Sequence, residues 1–364
     1  MSILSPPPQL AQAVSPARFE TPAVLKKLVA ANRQLAELKG VAASIPNQGI
    51  LISTLGLQEA KESSAIENIV TTHDELFREN TPDSPGSAAA KEVRQYEHAL
   101  QIGYAAVRQT GLLTGNHILE IQAALEQSRP GYRKLPGTTL KDGTGRVIYT
   151  PPSPELLPDL MSDLERFIND AALFDADPLV KMALIHHQFE SIHPFYDGNG
   201  RTGRIINVLY LVKEKHLDIP VLYLSRAIVR TKADYYSKLQ AVRERDAWED
   251  WVLYMLDAVE TTAAEGITTI QDIKALLLDY KHRIRAKHRF YSQDLINNLF
   301  SFPYTKIEFI QHDLKVSRLT ATRYLDALAA DGLLRKRKLG RSNYYINEPL
   351  FRILTGEAPP TGEQ

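Results

Sequence analysis

Leu179, Met182, Ala183, Ile185, Phe189 and Ile192 recur at helical spacing, and a second apolar run follows over residues 202–215. Two apolar helices only a short loop apart cannot both face water. They constrain the chain to a helical core in which they pack together, with the intervening loop at its surface. Asp177-Pro178 opens the first of them with an N-cap and a proline at the first helical position. Helical spacing also covers residues 22–39, 50–55, 58–70, 88–107, 114–127, 154–172 and, with breaks, 224–281; Thr114 is an N-cap candidate. Residues 44–49 read as a turn, and 81–86, with two prolines and a glycine, as a loop. Pro6, Pro7 and Pro8 predict an extended start.

The pattern changes twice. Residues 132–152 are rich in Gly, Thr and Val, with Asp142-Gly143 between two strand-like runs, which predicts a hairpin. After residue 289 the order is three short helices, the third over 318–331 and stopped by Gly332. Strand-like runs at 333–338 and 343–346 follow, the order of a winged helix. The expected organisation is an N-terminal helical region (1–110), a central core (111–285), a winged-helix domain (286–354) and a flexible tail (355–364).

The 43 basic and 43 acidic side chains cancel, which excludes wholesale disorder and binding of nucleic acid by bulk charge. Cysteine is absent, so disulfides, Cys-ligated metals and a thiol nucleophile are excluded. This suits a reducing compartment, and a cytoplasmic location is the expectation. No run approaches the ~18 apolar residues of a membrane span.

The loop between the two apolar helices, residues 193–204, is the richest in chemistry. Gly198-Asn199-Gly200 sits where loop becomes helix, and glycines there let successive N–H groups converge as an anion nest. The helix dipole adds to it. Arg201 and Arg204, three apart, share a face of what reads as the first turn. Asp197 is a hard oxygen ligand suited to Mg²⁺. His193 titrates near neutrality and can accept a hydroxyl proton. Together these fit transfer chemistry on a nucleotide phosphate; the plainer reading is a solvated helix start beside a structural histidine. Phe195 reads as a buried anchor of the loop.

The segment His193-Pro-Phe-Tyr-Asp-Gly-Asn-Gly-Arg-Thr-Gly-Arg204 resembles the signature of the Fic family, protein adenylyltransferases, at every defining position. Residues 145–152 resemble the family's hairpin flap, and Ser63-Ser-Ala-Ile-Glu-Asn68 its inhibitory-helix pattern, on a helix expected over about 58–70. The resemblance implies a mainly α fold: a Fic helical core with a β-hairpin flap, plus the winged helix. It implies that AMP passes from ATP, with Mg²⁺ held by Asp197, to a Ser, Thr or Tyr hydroxyl, and that pyrophosphate leaves. His193 would be the base. The Gly198, Asn199 and Gly200 backbone, with Thr202 and Gly203 following, would cradle phosphates, and Arg201 and Arg204 would pair the outer ones. Val147, Ile148 and Tyr149 would line the nucleotide and align the target segment. Tyr235 matches a tyrosine near the nucleotide, with Tyr236 leaving the register open by one. Arg243 stands where many relatives have asparagine, and no contact is carried over to it.

The resemblance gives Ser63, Glu67 and Asn68 an inhibitory role: Glu67 would pair bidentately with Arg204 and remove it from the γ-phosphate. In some relatives the same glutamate supports removal of AMP, so a phosphodiesterase is the alternative. A nucleotide-sensing DNA regulator is a third reading, and another nucleotide donor such as UTP or GTP a variant of the first. His186 and His187 lack metal-site spacing relative to His193. Residues 286–354 hold twelve Lys/Arg against six Asp/Glu. Arg318, Thr320, Thr322 and Arg323 on the third helix, with Lys336 and Arg341 on the wing, could contact DNA; a protein-binding role is the other reading. Partner classes are thus target proteins, the chain itself, DNA and a second copy, with no membrane.

Overall fold

The computed structural model describes residues 10, 14–78, 87–141, 143–339 and 342–359. The proline-rich start, the loop at 81–86, Asp142, Arg341 and the end of the tail lie outside the described residues.

The two apolar runs form α7 (Pro178–Ile192) and α8 (Asn199–Lys213), and they pack against each other at the centre of the molecule. Every residue of α7 after Pro178 is buried, including His186, His187, Gln188 and Glu190. A helix buried all round needs partners on every side. These come from α8, α6 (Leu157–Asn169) and α11 (Trp248–Lys287), while α4 (Ala88–Thr110) and α5 (Gly115–Glu126) pack on α8. Asp177 caps α7 by accepting from the Leu179 N–H at 2.8 Å, and Thr114 caps α5 by accepting from the His117 N–H. The helix α8 starts at Asn199, three residues before the expected start at 202. Arg204 therefore stands in its second turn, a correction to the first-turn expectation.

α1 (Pro22–Ala43) lies along α11. The expected pair of helices at 50–55 and 58–70 is one continuous helix, α2 (Gln48–Ile66). It stops before Glu67, because Asn68 takes a left-handed conformation (φ 64°) that asparagine tolerates. The Ile69 N–H then closes the end on the Ser64 carbonyl at 3.0 Å. α3 (His73–Arg78) follows. The flap is a short antiparallel pair, β1 (Leu140–Lys141) and β2 (Val147–Tyr149), with Leu140 opposite Tyr149. α9 (Leu224–Arg230) and α10 (Lys232–Arg245) lead into the 40-residue α11.

The C-terminal unit has α12 (Gln293–Ser301), α13 (Ile307–Leu314) and α14 (Arg318–Ala330), then the wing strands β4 (Arg335–Leu339) and β5 (Ser342–Ile346), and α15 (Glu348–Thr355). A strand not expected from the sequence, β3 (Tyr304–Thr305), pairs with β5, giving the sheet order β3-β5-β4. α11 runs unbroken through the boundary expected at 285/286. Its Tyr280 hydroxyl donates to the Leu333 carbonyl at 2.6 Å. The unit also rests on α3: Phe77 stacks on Tyr304 (6.2 Å between ring centroids) and meets Phe351 edge-on (5.7 Å). The Tyr344 hydroxyl donates to the Arg78 carbonyl at 3.3 Å.

Phe77 is 1% exposed, and its ring fills the space between α3 and the C-terminal unit. Phe77→Ala should lower the unfolding free energy by about 3–5 kcal/mol, since truncating a buried ring leaves a cavity. Urea unfolding of both proteins measures it; a loss under about 1 kcal/mol would contradict this packing.

Candidate active site

The backbone leaves α7 through His193, which caps the helix in the left-handed region (φ 49°, ψ 59°). The loop is locked by Asn199: its Oδ1 accepts from the Phe195 N–H and its Nδ2 donates to the Phe195 carbonyl, each at 2.9 Å. Phe195 is fully buried against Tyr132 and Phe189. Gly198 (φ 77°) then turns the chain into α8, and Asp197 accepts its N–H at 2.7 Å. A side chain at Gly198 would stand 2.5 Å from Glu126 Oε1, so only glycine fits the turn and the close approach together. The opening amides of α8 are the groups that a helix start leaves without intrahelical partners.

Arg204 is 1% exposed. Its Nε donates to Ser63 Oγ at 2.7 Å, and its Nη2 donates to the Ser63 carbonyl at 3.0 Å and to Glu67 Oε1 at 2.8 Å. The expected bidentate pair is a single contact between Nη2 and Glu67 Oε1, and Nη2 is shared with the Ser63 carbonyl while Nε is taken by the Ser63 hydroxyl. Burial pushes the Glu67 carboxyl up, but the Arg204 guanidinium outweighs it and holds the group below its ordinary value. Glu67 lies over the start of α8: a Cβ at Gly200 would collide with its Oε1. Asn68 sits just beyond, its Oδ1 accepting from Lys232 Nζ at 3.2 Å.

Arg201, expected to pair an outer phosphate, is engaged within the fold. It is 3% exposed, and its guanidinium pairs with Glu92 (3.1 Å) and Glu126 (2.8 Å), which tie α8 to α4 and α5. Neither glutamate was legible as a site residue, since nothing in the local sequence marks it. Thr202 donates its N–H to the Gly198 carbonyl, and a Cβ at Gly203 would stand 2.8 Å from Glu190 Oε1. The Thr202 N–H thus closes the first turn of α8, and the bare Gly203 lets α8 approach α7 closely at Glu190.

Burial first, then the positive charges of Arg133 and Arg243, push the His193 imidazole down to about 4. It is neutral at pH 7 and able to take a proton. Its Nδ1 is buried without a hydrogen-bond partner. Tyr149 of the flap is 4% exposed and turned inward, its hydroxyl donating to the Ser191 carbonyl at 2.8 Å, with the Arg243 guanidinium 4.0 Å above its ring. Val147 is exposed; Ile148 accepts at its carbonyl from Gln240 Nε2 at 3.1 Å. Tyr235 is buried and 2.8 Å from His186 Nε2, whereas Tyr236 is 41% exposed; of the two, Tyr236 reaches the open side. His186 also contacts Asn207 at 3.0 Å, and among the described residues no three His, Asp or Glu side chains gather as a metal site.

On the winged helix, Arg318 pairs with Glu308 (3.1 Å) and Lys336 with Asp326 (2.7 Å), so both candidate nucleic-acid contacts are partly neutralised within the unit. Thr320 supplies its N–H to the Ser317 cap, Thr322 donates to the Arg318 carbonyl, and Arg323 is exposed. Arg341 lies outside the described residues.

Glu190 carries a testable electrostatic cost. Its Oε1 is buried without a partner, and burial, opposed by Arg204, raises its carboxyl from 4.5 to about 7. The folded chain keeps this proton up to about pH 7 while the unfolded chain loses it near 4.5, so this group's contribution to stability falls as pH rises between those values. Glu190→Gln should therefore match wild type near pH 5 and exceed it by about 2 kcal/mol at pH 8, levelling off above the folded value. Unfolding curves of both proteins across pH check this; a constant difference would refute it.

Three family models match in succession: Fic/DOC family N-terminal over residues 25–105, Fic/DOC family over 112–211, and the C-terminal domain of SoFic-like protein adenylyltransferase over 276–350. Protein adenylyltransferase fic-1 of Caenorhabditis elegans is 33% identical over 98 residues, 27% of this chain and 18% of that protein. Protein adenylyltransferase Fic of Aedes aegypti is 31% identical over 114 residues, 31% of this chain and 21% of that one. The chain thus spans about a fifth of these relatives' length. A crystal structure of a Fic family protein from Desulfovibrio desulfuricans G20 matches with a TM-score of 0.59 at 21% identity, covering 95% of this chain and all of that one. Fic-1 from C. elegans matches with a TM-score of 0.52 at 21% identity, over 68% of this chain and 74% of that chain. With the signature loop, the flap and both flanking regions matched in order, the chain belongs to the Fic/DOC family.

Proposed function

We propose that this chain is a protein adenylyltransferase: it transfers AMP from ATP to a Ser, Thr or Tyr hydroxyl of a target protein, or of itself, and is restrained by Glu67. The observation that carries the reading is the Glu67–Arg204 pair at 2.8 Å, formed over the start of α8 between residues 137 positions apart. The base, the anion nest and the buried guanidinium converge there, and the acid sits where an outer phosphate would have to pair.

In this reading the opening amides of α8 receive the phosphates, and His193 takes the proton of the incoming hydroxyl. The hydroxyl oxygen forms its bond to the α-phosphorus, the bond to the β-phosphate oxygen breaks, and pyrophosphate leaves. Substrate phosphates beside His193 would raise its basicity, as a nearby negative charge favours the imidazolium. Asp197 fits a Mg²⁺ ligand: it is exposed at the rim of the nest, and one hard carboxylate suits an ion that keeps several waters. Bound there, the ion would neutralise phosphate charge. Val147, exposed on β2, would meet the target segment in this reading.

Incubation with labelled ATP at equal protein and Mg²⁺ tests both halves. Glu67→Gly should raise AMP incorporation at least tenfold, or about 1.4 kcal/mol, by freeing Arg204 for phosphate. If it instead abolishes turnover of AMP-modified protein without raising incorporation, Glu67 serves AMP removal and the restraint reading fails. His193→Ala should lower transfer by roughly 10²–10⁴-fold with ATP binding retained, since phosphate contacts do not need the imidazole. Wild-type rates in that variant would reject His193 as the base.

A further inference from the structure

Arg133 belongs to none of the motifs that carry the functional reading, yet it is 2% exposed and bound to the catalytic loop throughout. Its Nε donates to the His193 carbonyl at 2.9 Å. Its Nη2 donates to the Pro152 carbonyl, at the end of the flap, and lies 3.5 Å from the Ile192 carbonyl. Its backbone N–H donates to the Pro194 carbonyl at 2.9 Å. The next two N–H groups, of Lys134 and Leu135, donate to the Tyr196 hydroxyl at 2.8 and 3.2 Å.

The carbonyls at this point are those that the end of α7 leaves without intrahelical partners. His193 itself holds a left-handed conformation that non-glycine residues keep only when their surroundings impose it. Its Nδ1 has no hydrogen bond. The ring meets the Glu190 backbone one turn back on α7, and the His193 backbone from which it projects is held by Arg133. We infer that Arg133 is the positioning residue of the general base: its guanidinium fixes the His193 backbone and ties it to the flap at Pro152. This rests on the assignment of His193 as the base.

A second effect follows from charge. The groups acting on His193 are Arg133 from the flap stem, Arg243 from α10, Glu67 from the end of α2 and the backbone of Glu190 within α7. After burial, Arg133 is the largest of the influences that keep the ring neutral. Aim and protonation state thus depend on one side chain.

Wild type, Arg133→Lys and Arg133→Met are compared as full chains, by AMP-transfer kinetics across pH, by thermal unfolding and by NMR titration of the His193 ring. The His193 signal is identified by its loss in His193→Gln. Arg133→Lys keeps the charge but not the planar fork, so kcat should fall about tenfold or more while KM for ATP and the His193 titration stay near wild type. Arg133→Met should show the same loss in kcat, and its His193 titration should move up towards 6.5, carrying the acid limb of the rate profile with it. Wild-type kcat with an unmoved titration in Arg133→Met overturns the inference. So does a fall in kcat matched by a rise in KM and a lowered unfolding temperature in both variants, the mark of general loosening. If wild type transfers no AMP, the functional reading fails on its own. Crystal structures of wild type and Arg133→Met then decide the inference: a displaced His193 backbone and ring in the variant support it, and an unmoved His193 overturns it.

Discussion

Arg204 is a full positive charge with 1% exposure, and the arrangement around the loop follows from the need to satisfy it. A buried guanidinium without partners is costly, so every one of its described contacts is an oxygen: the Ser63 hydroxyl, the Ser63 carbonyl and the Glu67 carboxylate. Two of these come from the last turn of α2 and the third from its cap. The end of α2 is therefore drawn to the start of α8, and the turn at Asn68 carries the chain away at once. Seen this way, the restraint proposed for Glu67 has a simple physical basis. The site carries a cation that must be neutralised whether or not substrate is present. A carboxylate on a helix end meets that need at rest, and a phosphate would have to replace it.

The polar groups deep in the core extend the same logic. Glu59 is 2% exposed and accepts from the Ser225 N–H at 3.1 Å and from the Tyr96 hydroxyl at 3.2 Å, bridging α2, α4 and the start of α9. Burial raises it to about 7, as it does Glu190. Arg201, clamped by Glu92 and Glu126, anchors the opposite side of α8. Hydrophobic burial alone would let the helices slide; these pairings fix their register, which a site built on a few tenths of an ångström requires.

Much of this was legible in the sequence, for reasons that differ by residue. The loop from His193 to Arg204 was readable because its residues are contiguous and their types have few other uses together. α7 was readable because Asp177, Pro178 and a long apolar repeat agree. The single helix α2 was not, because Gly56 and the polar residues after it weaken the period, and tertiary burial overrides the weakness. Glu92, Glu126 and Arg133 were invisible for another reason. A lone charged residue takes its meaning from what the fold brings against it, here groups 109, 75 and 60 positions away. Tyr235 and Tyr236 show the remaining limit. Adjacent residues on a helix point about 100° apart, and only the packed structure tells which one is inside.

The 40-residue α11 extends about 60 Å without a break and is shared by the central region and the C-terminal unit. A flexible linker would let the winged helix sample orientations independently of the rest. A rigid rod makes it a lever arm: a tilt of about 5° at one end displaces the other by about 5 Å over such a length. The connection between the rod and the first helix of the unit is short, running only from His288 to Ser292. Whatever the winged helix binds, the mechanical load of that contact is shared between this rod, which carries it to the face where α1 lies, and the seat on α3, next to the helix that Glu67 caps.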